Sequence, residues 1–249
     1  MERLKNGRRG KHTVKTLLGE MLHELVEKCL RSETEILEKL YLERRLDQEN
    51  LQRRYRRIAE QASMEIIWRY GGRLVRLSGS IKEAMSLLLR ASRNIVGLRS
   101  LELLKDARSI GIQQLLHHLH ARSFGERLYS RELGLSGSPD MLEPDRVVDF
   151  KYSRPGPDRM VREDIILQLA LYSLLSGRKK LRVIYLPSFA HEDFQMNDAM
   201  AQWALRILDE LFDFLSNIPE EVEHTCIHPP RYVSVGGELP WAEYIYSPQ

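Results

Sequence analysis

The chain has 249 residues, of which 43% are hydrophobic and 29% are charged, and its formal net charge is +3. This composition supports one large or two small domains with a real core, and it excludes a disordered tail, a collagen-like fibre and a disulfide-stapled miniprotein. No apolar run approaches the ~18–20 residues of a membrane helix, and two distant cysteines suit a reducing compartment, so we expect a cytoplasmic protein.

The N-terminal region, residues 1–125, is predicted to be mainly helical. Its basic start is followed by glutamates rather than by the apolar run of a signal peptide. Apolar residues then recur at helical spacing from residue 13 to 70, which favours one helix followed by one or two long amphipathic helices. Gly71-Gly72 is expected to end this block. Beyond it we predict a short strand at 74–77, followed by helices at 81–92 and 100–120.

Residues 126–220 change character and are predicted to form an α/β core. Strand-like runs broken by turn residues extend from 128 to 148, and the clearest single strand is Arg146–Tyr152. Further elements follow in order: a loop at 153–157, an apolar helix at 163–175, a buried strand at 182–187, an amphipathic helix at 197–218, and an irregular segment at 221–249 packed on the core.

Arginine dominates the basic residues, since only 10 of the 38 are lysine. Two stretches concentrate it, residues 3–15 and 44–57. One interpretation is a solvated helical face balanced by neighbouring glutamates, and the other is an electrostatic track for nucleic acid. The net charge does not choose between them.

The densest polar cluster in the core region contains Asp140, Asp149 and Lys151. On a strand, Asp149 and Lys151 share a face, and hairpin pairing would bring Asp140 beside Asp149. Two converging carboxylates form a hard-oxygen site suited to Mg²⁺ or Mn²⁺, and a nearby lysine can orient water or stabilise charge on a phosphate. The alternative is a turn aspartate beside an ordinary surface ion pair.

Four further polar residues accompany this cluster. Gln168 and Tyr172 share one face of the apolar helix, and His23 shares a helix face with Gly19. Glu132 is expected on the strand that leads into Asp140. Taken singly, His23 is better explained as a partly exposed helix residue, and Tyr172 as a core residue with a solvated hydroxyl.

The ordered set resembles a known group of nucleases. Its members here are Gly19-x-x-x-His23, Glu132, Gly137-x-x-Asp140, Asp149-Phe-Lys151 and Gln168-x-x-x-Tyr172. In this order they resemble the RecB-type branch of the PD-(D/E)xK nuclease superfamily, and within it the fourth CRISPR-associated (Cas) protein family, the RecB-like nucleases of spacer acquisition. Residues 129–175 match best.

The resemblance implies a fold and a set of roles. The fold would be α/β, with a restriction-endonuclease-like central mixed β-sheet flanked by helices and a large N-terminal helical region. His23, Asp140 and Asp149 would hold a divalent metal and Lys151 would be the catalytic lysine. Gln168 and Tyr172 would support the site or contact DNA, and Glu132 would support it from behind the ligands. The helical stretch between His23 and Glu132 would form an arch or a docking surface over single-stranded DNA.

The cysteines depart from the family pattern. The CRISPR-associated members usually hold an iron–sulfur cluster with four cysteines, whereas this chain has only Cys29 and Cys226. We therefore expect no cluster. His224, Cys226 and His228 could bind a metal with a further ligand, but an ordinary C-terminal loop explains them better, because ligands two residues apart fit one zinc ion poorly.

These observations predict a Mg²⁺- or Mn²⁺-dependent deoxyribonuclease acting on single-stranded DNA or overhangs, as an exonuclease rather than an endonuclease. CRISPR integrase proteins are the expected partners. The rival hypothesis is a non-catalytic DNA-binding or scaffold subunit of a CRISPR or DNA-repair complex. A small-molecule enzyme is less favoured, because no glycine-rich nucleotide loop precedes a helix.

Overall fold

A computed structural model describes residues 13–153 and 161–217 of the chain. Five helices come first and form the N-terminal region: α1 (Val14–Arg31), α2 (Glu33–Leu42), α3 (Gln48–Arg76), α4 (Ile81–Ile110) and α5 (Ile112–His120). Polar side chains cap three of them, because Thr13, Asp47 and Ser80 each accept a hydrogen bond from a backbone N–H of the first turn. The predicted helical N-terminal region is confirmed.

The strands and the last two helices follow. They are β1 (Ser123–Phe124), β2 (Leu128–Ser130), β3 (Leu135–Gly137), β4 (Met141–Leu142), β5 (Arg146–Lys151), α6 (Glu163–Ser176), β6 (Lys180–Tyr185), β7 (Ala190–Gln195) and α7 (Asp198–Ser216). The predicted strands at 146–152 and 182–187 and the predicted helices at 163–175 and 197–218 correspond to β5, β6, α6 and α7. Strand β7 was not predicted, because its only strongly apolar residue is Phe194.

The glycine pair does not end the helix that contains it. Helix α3 continues through Gly71 and Gly72 to Arg76, so the prediction of a strand at 74–77 was wrong. Gly71 is buried, and a Cβ placed on it would lie 3.7 Å from Ile81 Cδ1 at the start of α4. The packing of α3 on α4 therefore outweighs the roughly 1 kcal/mol that each glycine costs in a helix interior.

The central sheet is mixed and has five strands in the order β1-β4-β5-β6-β7. Strands β5 and β6 are parallel, with Lys151 opposite Tyr185, and the other neighbours are antiparallel. Strands β2 and β3 form a separate hairpin. This sheet with helices on both sides is the predicted α/β, restriction-endonuclease-like fold, and the large N-terminal helical region is present as expected.

Alternate residues of the sheet contribute to two hydrophobic cores. Val148 and Phe150 of β5 pack with the buried leucines of α1 to α5. Val147 belongs to the other core, which it forms with residues of α6 and α7. Both faces of β5 are therefore covered, and Asp149 and Lys151 share the α6 side with Val147 by strand alternation. The division of the chain at residue 125 stays a prediction; β1, which pairs with β4, lies just before it.

A buried ion-pair network fastens the helical region together and to the sheet. The Glu33 carboxylate is fully buried and accepts hydrogen bonds from Arg99, at 2.8 Å, and Arg122, at 2.6 Å. Arg122 also pairs with Glu143, in the loop before β5, at 2.8 Å. Burial by itself would raise the pKa of Glu33, but the two arginines hold it at about 2.

None of the helices in the described part of the chain is long and apolar enough to cross a membrane.

Candidate active site

Strand pairing brings the two aspartates together. Met141 of β4 lies opposite Val148 of β5 in an antiparallel register, so Asp140 comes opposite Asp149. Asp140 Oδ2 accepts a hydrogen bond from the backbone N–H of Phe150 at 2.6 Å. This bond fixes the Asp140 carboxylate against β5, in the position that hairpin pairing predicts.

Asp149 is buried, unlike the members of a surface ion pair. Its exposed fraction is 3%, and its Oδ2 lies 2.5 Å from Lys151 Nζ. The two form an ion pair without hydrogen-bond geometry, so Oδ2 has no hydrogen-bond donor among the residues that the structure describes. Burial and the neighbouring charge of Asp140 raise the pKa of Asp149 to about 6, although Lys151 acts in the opposite direction.

A chain of hydrogen bonds positions Lys151. Its ammonium donates to Gln168 Oε1 at 2.6 Å, Gln168 Nε2 donates to the Tyr172 hydroxyl at 2.9 Å, and that hydroxyl donates to the Ser138 carbonyl at 3.2 Å. Gln168 and Tyr172 thus lie on one face of α6, four residues apart, as their spacing predicts. Helix α6 thereby holds the end of β5 and the segment before Asp140 in one arrangement.

Gly137 makes room for this chain. A Cβ at residue 137 would lie 2.6 Å from Tyr172 Cε1, closer than real Cβ atoms come to any neighbour. The tyrosine ring therefore occupies the space that a larger side chain would need. Gly19 of α1 has room for a larger residue, because a Cβ there would lie 3.6 Å from Tyr152 Cβ, an ordinary van der Waals contact.

His23 reaches the site from α1, on the opposite side of the sheet from α6. Its Nδ1 lies 3.5 Å from Asp140 Oδ1, and its ring packs edge-on against Phe150 with ring centroids 5.8 Å apart. Burial lowers the pKa of His23, but the contact with Asp140 and the charges of Asp140 and Asp149 outweigh it, so the pKa is raised above its ordinary value.

The donor set fits a divalent metal in its chemistry. The two carboxylates suit Mg²⁺ or Mn²⁺, the imidazole adds a nitrogen ligand that suits Mn²⁺ better, and Asp149 Oδ2 is a buried oxygen without a hydrogen-bond donor in the described part of the chain. Within residues 13–153 and 161–217, however, no three His, Cys, Asp or Glu side chains are already gathered as a metal site. A metal held by His23, Asp140 and Asp149 would therefore need the His23 and Asp149 side chains to turn toward the fixed Asp140 carboxylate, and Lys151 to move away from Asp149.

Glu132 is not where the sequence pattern predicts it. It lies in the turn of residues 131–134 between β2 and β3, not on a strand, and it is exposed. This turn approaches α7, because a Cβ on Gly134 would lie 3.3 Å from Phe212 Cζ. The opposite end of β3, at Gly137, is the end that meets Tyr172, so Glu132 lies at the other end of the β2–β3 hairpin from that contact, and its supporting role stays a prediction.

Cys29 is buried in the hydrophobic core of the N-terminal helices. Burial, together with the charge of Glu33, raises the pKa of its thiol to about 12, which disfavours the thiolate that a metal or cluster requires. His224, Cys226 and His228, like the segment 221–249 and the basic residues before Thr13, lie outside the described residues.

Ion pairs within the arginine-rich run agree with the solvated-face interpretation for part of it, and the nucleic-acid track stays a prediction. Arg53 pairs with Glu49 at 2.5 Å and Arg54 with Glu43 at 2.6 Å, as the solvated-face interpretation expects. Arg56 forms no salt bridge with any described residue and lines a cleft between α3 and α4. The run is therefore not uniform.

The sequence did not indicate two groups that fasten the surroundings of the β5 end. The Ser138 carbonyl is one, and the other is Asn94 of α4, whose Nδ2 donates to the Pro187 carbonyl at 3.0 Å. Neither carries a sequence signal, because a backbone carbonyl is common to all residues and a single asparagine has no pattern.

A comparison with protein families identifies the superfamily of the chain. A model of the PD-(D/E)XK nuclease superfamily matches residues 1–224 of the chain. No curated protein matches the sequence significantly.

Proposed function

Because this chain belongs to the PD-(D/E)XK nuclease superfamily, we propose that it is a Mg²⁺- or Mn²⁺-dependent deoxyribonuclease that hydrolyses phosphodiester bonds of single-stranded DNA or DNA ends. The observation that carries the proposal is the buried Asp149 carboxylate, paired with Lys151 at 2.5 Å and placed opposite Asp140. A non-catalytic scaffold would have no use for a buried carboxylate with a raised pKa.

His23, Asp140 and Asp149 would hold the metal. When bound there, a divalent ion would lower the pKa of a water molecule and neutralise charge on the scissile phosphate. The side chains must first release protons, since an imidazole ligates only when neutral and Asp149, with a pKa of about 6, is partly protonated in mildly acidic solution. Asp140 is held for this task by the Phe150 N–H.

Lys151 is the group proposed to act on the substrate. Its side chain is 25% exposed, which leaves part of the lysine open to a phosphate or a water molecule. Once released from Asp149 it can donate to the attacking water or to the negative charge that develops on the phosphate. Gln168 keeps it in place during this exchange, because the 2.6 Å bond to Oε1 does not depend on Asp149.

We extend the proposal to a role in CRISPR spacer acquisition, with CRISPR integrase proteins as partners, in the cytoplasm and without an iron–sulfur cluster. The support is the order of motifs from Gly19 to Tyr172 and the presence of only two cysteines in the sequence. The buried thiol of Cys29 supports the part that concerns the cluster. Co-elution of the purified protein with an integrase from its own source, and iron analysis of the anaerobically purified protein, test these extensions.

The nuclease activity is tested with end-labelled DNA. Single-stranded, double-stranded and circular DNA are incubated with the protein and Mn²⁺, with and without a chelator. We expect chelator-sensitive degradation of linear single strands to short products, with circles spared, as an exonuclease predicts. Retention of intact DNA at every Mn²⁺ concentration would favour the scaffold hypothesis, and cleavage of circles would make the enzyme an endonuclease.

A further inference from the structure

A cleft opens between α3 and α4, away from the aspartates. Its volume is about 440 Å³, and it is lined by Gln52, Arg56, Glu60, Leu89, Ser92, Arg93, Val96 and Gly97. A volume of this size accommodates a small ligand of about one or two nucleotides, but not a DNA duplex. A Cβ on Gly97 would meet no atom within 4 Å, so this part of the wall is open.

Arg56 and Arg93 stand on the two helices that form the cleft, and both side chains are exposed. Neither forms a salt bridge or a hydrogen bond with any residue that the structure describes. Arg69 and Arg73 of α3 are paired, Arg69 with Glu24 at 2.6 Å and Arg73 with Glu20 at 3.4 Å. Arg57 and Arg76 are also without a partner among the described residues, but they do not line the cleft. Two unpaired guanidinium groups in one cleft favour an anion with several acceptor oxygens, and phosphate matches their forked geometry.

The rest of the lining suits the other parts of a nucleotide. Leu89 and Val96 offer apolar surface to a sugar or a base, while Gln52 and Glu60 can bond to base edges. The negative charge of Glu60 would repel a bare phosphate. The same carboxylate can, however, accept a hydrogen bond from the amino group of a base. The cleft therefore fits a nucleotide better than an inorganic anion.

Two hydrogen bonds connect this part of α4 with the catalytic lysine. Asn94, the residue after Arg93, donates to the Pro187 carbonyl at 3.0 Å. Leu186, the residue before Pro187, donates its backbone N–H to the Lys151 carbonyl at 2.8 Å. The middle of α4 is thus fastened to the end of β5 from which Lys151 projects, and the cleft lies on another side of the same helix.

We propose that the α3–α4 cleft binds nucleotides of the single strand beyond the scissile bond, with Arg56 and Arg93 on its phosphates. The inference rests on the proposed deoxyribonuclease function and adds a second contact region to it. Such a cleft would also explain the proposed preference for single-stranded DNA, because only an unpaired strand can place its bases in a cleft of this size. A free mononucleotide has the same chemistry, so the test includes it.

The test compares the Arg56→Gln/Arg93→Gln double variant with wild type and with Arg108→Gln. Arg108 is also an exposed, unpaired arginine of α4 among the described residues, about 22 Å along the helix from Arg93 at 1.5 Å per residue. Binding of a fluorescent 20-nucleotide oligothymidylate is measured by anisotropy in chelator, where cleavage cannot occur, over a range of salt concentrations. Thermal melting checks that the exposed substitutions leave the fold intact.

We expect the double variant to bind the oligothymidylate on the order of tenfold more weakly, or worse. The single variants Arg56→Gln and Arg93→Gln should each bind about threefold more weakly, and Arg108→Gln should bind as the wild type does. The slope of log affinity against log salt should become shallower by about 1.4, since two phosphate contacts at about 0.7 each are lost. An unchanged affinity and slope in the double variant would overturn the inference, whether or not the wild type cleaves DNA.

Two further outcomes separate the possibilities. If the wild type cleaves no DNA but the double variant still loses strand binding, the cleft is correct and the nuclease function is wrong. If calorimetry shows that the double substitution abolishes dAMP binding while oligonucleotide affinity is unchanged, the cleft holds a free mononucleotide, and the assignment to the strand fails.

Discussion

Lys151 Nζ donates a hydrogen bond to Gln168 Oε1 at 2.6 Å, so a helix on one face of the sheet holds the lysine at the end of β5. The same amide donates to Tyr172 at 2.9 Å. Replacing Gln168 by Leu removes both bonds but keeps the approximate size of the side chain. We expect kcat to fall on the order of tenfold with KM nearly unchanged, because positioning is lost and strand binding is not. Steady-state kinetics on single-stranded DNA measure this split. A change confined to KM would assign Gln168 to DNA binding instead.

Lys151→Met should slow catalysis far more than Gln168→Leu, because it removes the lysine itself rather than the group that positions it. The substitution removes the cation that is proposed to meet the water or the phosphate, and a loss of about 10²–10⁴ in cleavage rate is expected, with strand binding retained in chelator. The matched control is Lys180→Met at the opposite end of the neighbouring strand, where Lys180 pairs with exposed Asp145 at 2.6 Å. Wild-type cleavage rates in Lys151→Met, measured with Mn²⁺, would remove this residue from the mechanism.

Metal affinity should depend on pH through the ligands. The pKa of Asp149 is raised to about 6 and that of His23 is raised above its ordinary value, so acidification protonates both before ordinary carboxylates take up protons. We expect Mn²⁺ affinity to be highest above pH 7 and to fall below about pH 6, by up to about a hundredfold per pH unit when two protons must leave. Calorimetry at pH 5, 6 and 7.5 gives the slope. An affinity independent of pH would place the metal elsewhere.

The buried carboxylate of Glu33 should govern acid stability. Its pKa is about 2 in the folded protein, below its ordinary value of 4.5, so its contribution is fully present above pH 4.5 and is lost as the pH falls toward 2. Glu33→Gln leaves Arg99 and Arg122 buried without their shared partner, and we expect about 3–5 kcal/mol of destabilisation at pH 7. Urea unfolding measures it, with exposed Glu35→Gln as the control. Equal stability of both variants would contradict the network's importance.

Substitution of Gly137 by alanine can be compared with the same substitution at Gly72, where there is room for a Cβ. Gly137→Ala forces the Tyr172 ring away, since the added Cβ would lie 2.6 Å from Cε1, and we expect a loss of about 1–3 kcal/mol and slower cleavage. Gly72→Ala within α3 meets nothing within 4 Å and should stabilise the protein by about 0.5–1 kcal/mol. Thermal melting of both variants checks the opposite signs. A neutral Gly137→Ala would mean that the ring moves freely.

Strong local patterns were sufficient for most of the architecture. The alternation in β5 predicted that Asp149 and Lys151 share a face, and the i,i+4 spacing predicted that Gln168 and Tyr172 meet; both follow from backbone geometry that any strand or helix has. The same reasoning failed at Gly71-Gly72, where the packing of α3 on α4 outweighs the glycine propensity, and at Glu132, where a turn replaces the expected strand.

By itself, then, the sequence determined most of the elements, the superfamily motifs and the pairs of residues that lie within one element. Apart from the hairpin pair Asp140 and Asp149, only the tertiary structure decided which residues from different elements meet. His23 of α1 meets Asp140, Asn94 of α4 meets Pro187, and Arg56 of α3 lines one cleft with Arg93 of α4. It also decided that Asp149 is buried, which raises its pKa. The physical reason is that periodicity governs neighbours along one helix or strand, whereas burial and contacts between elements depend on how whole faces pack.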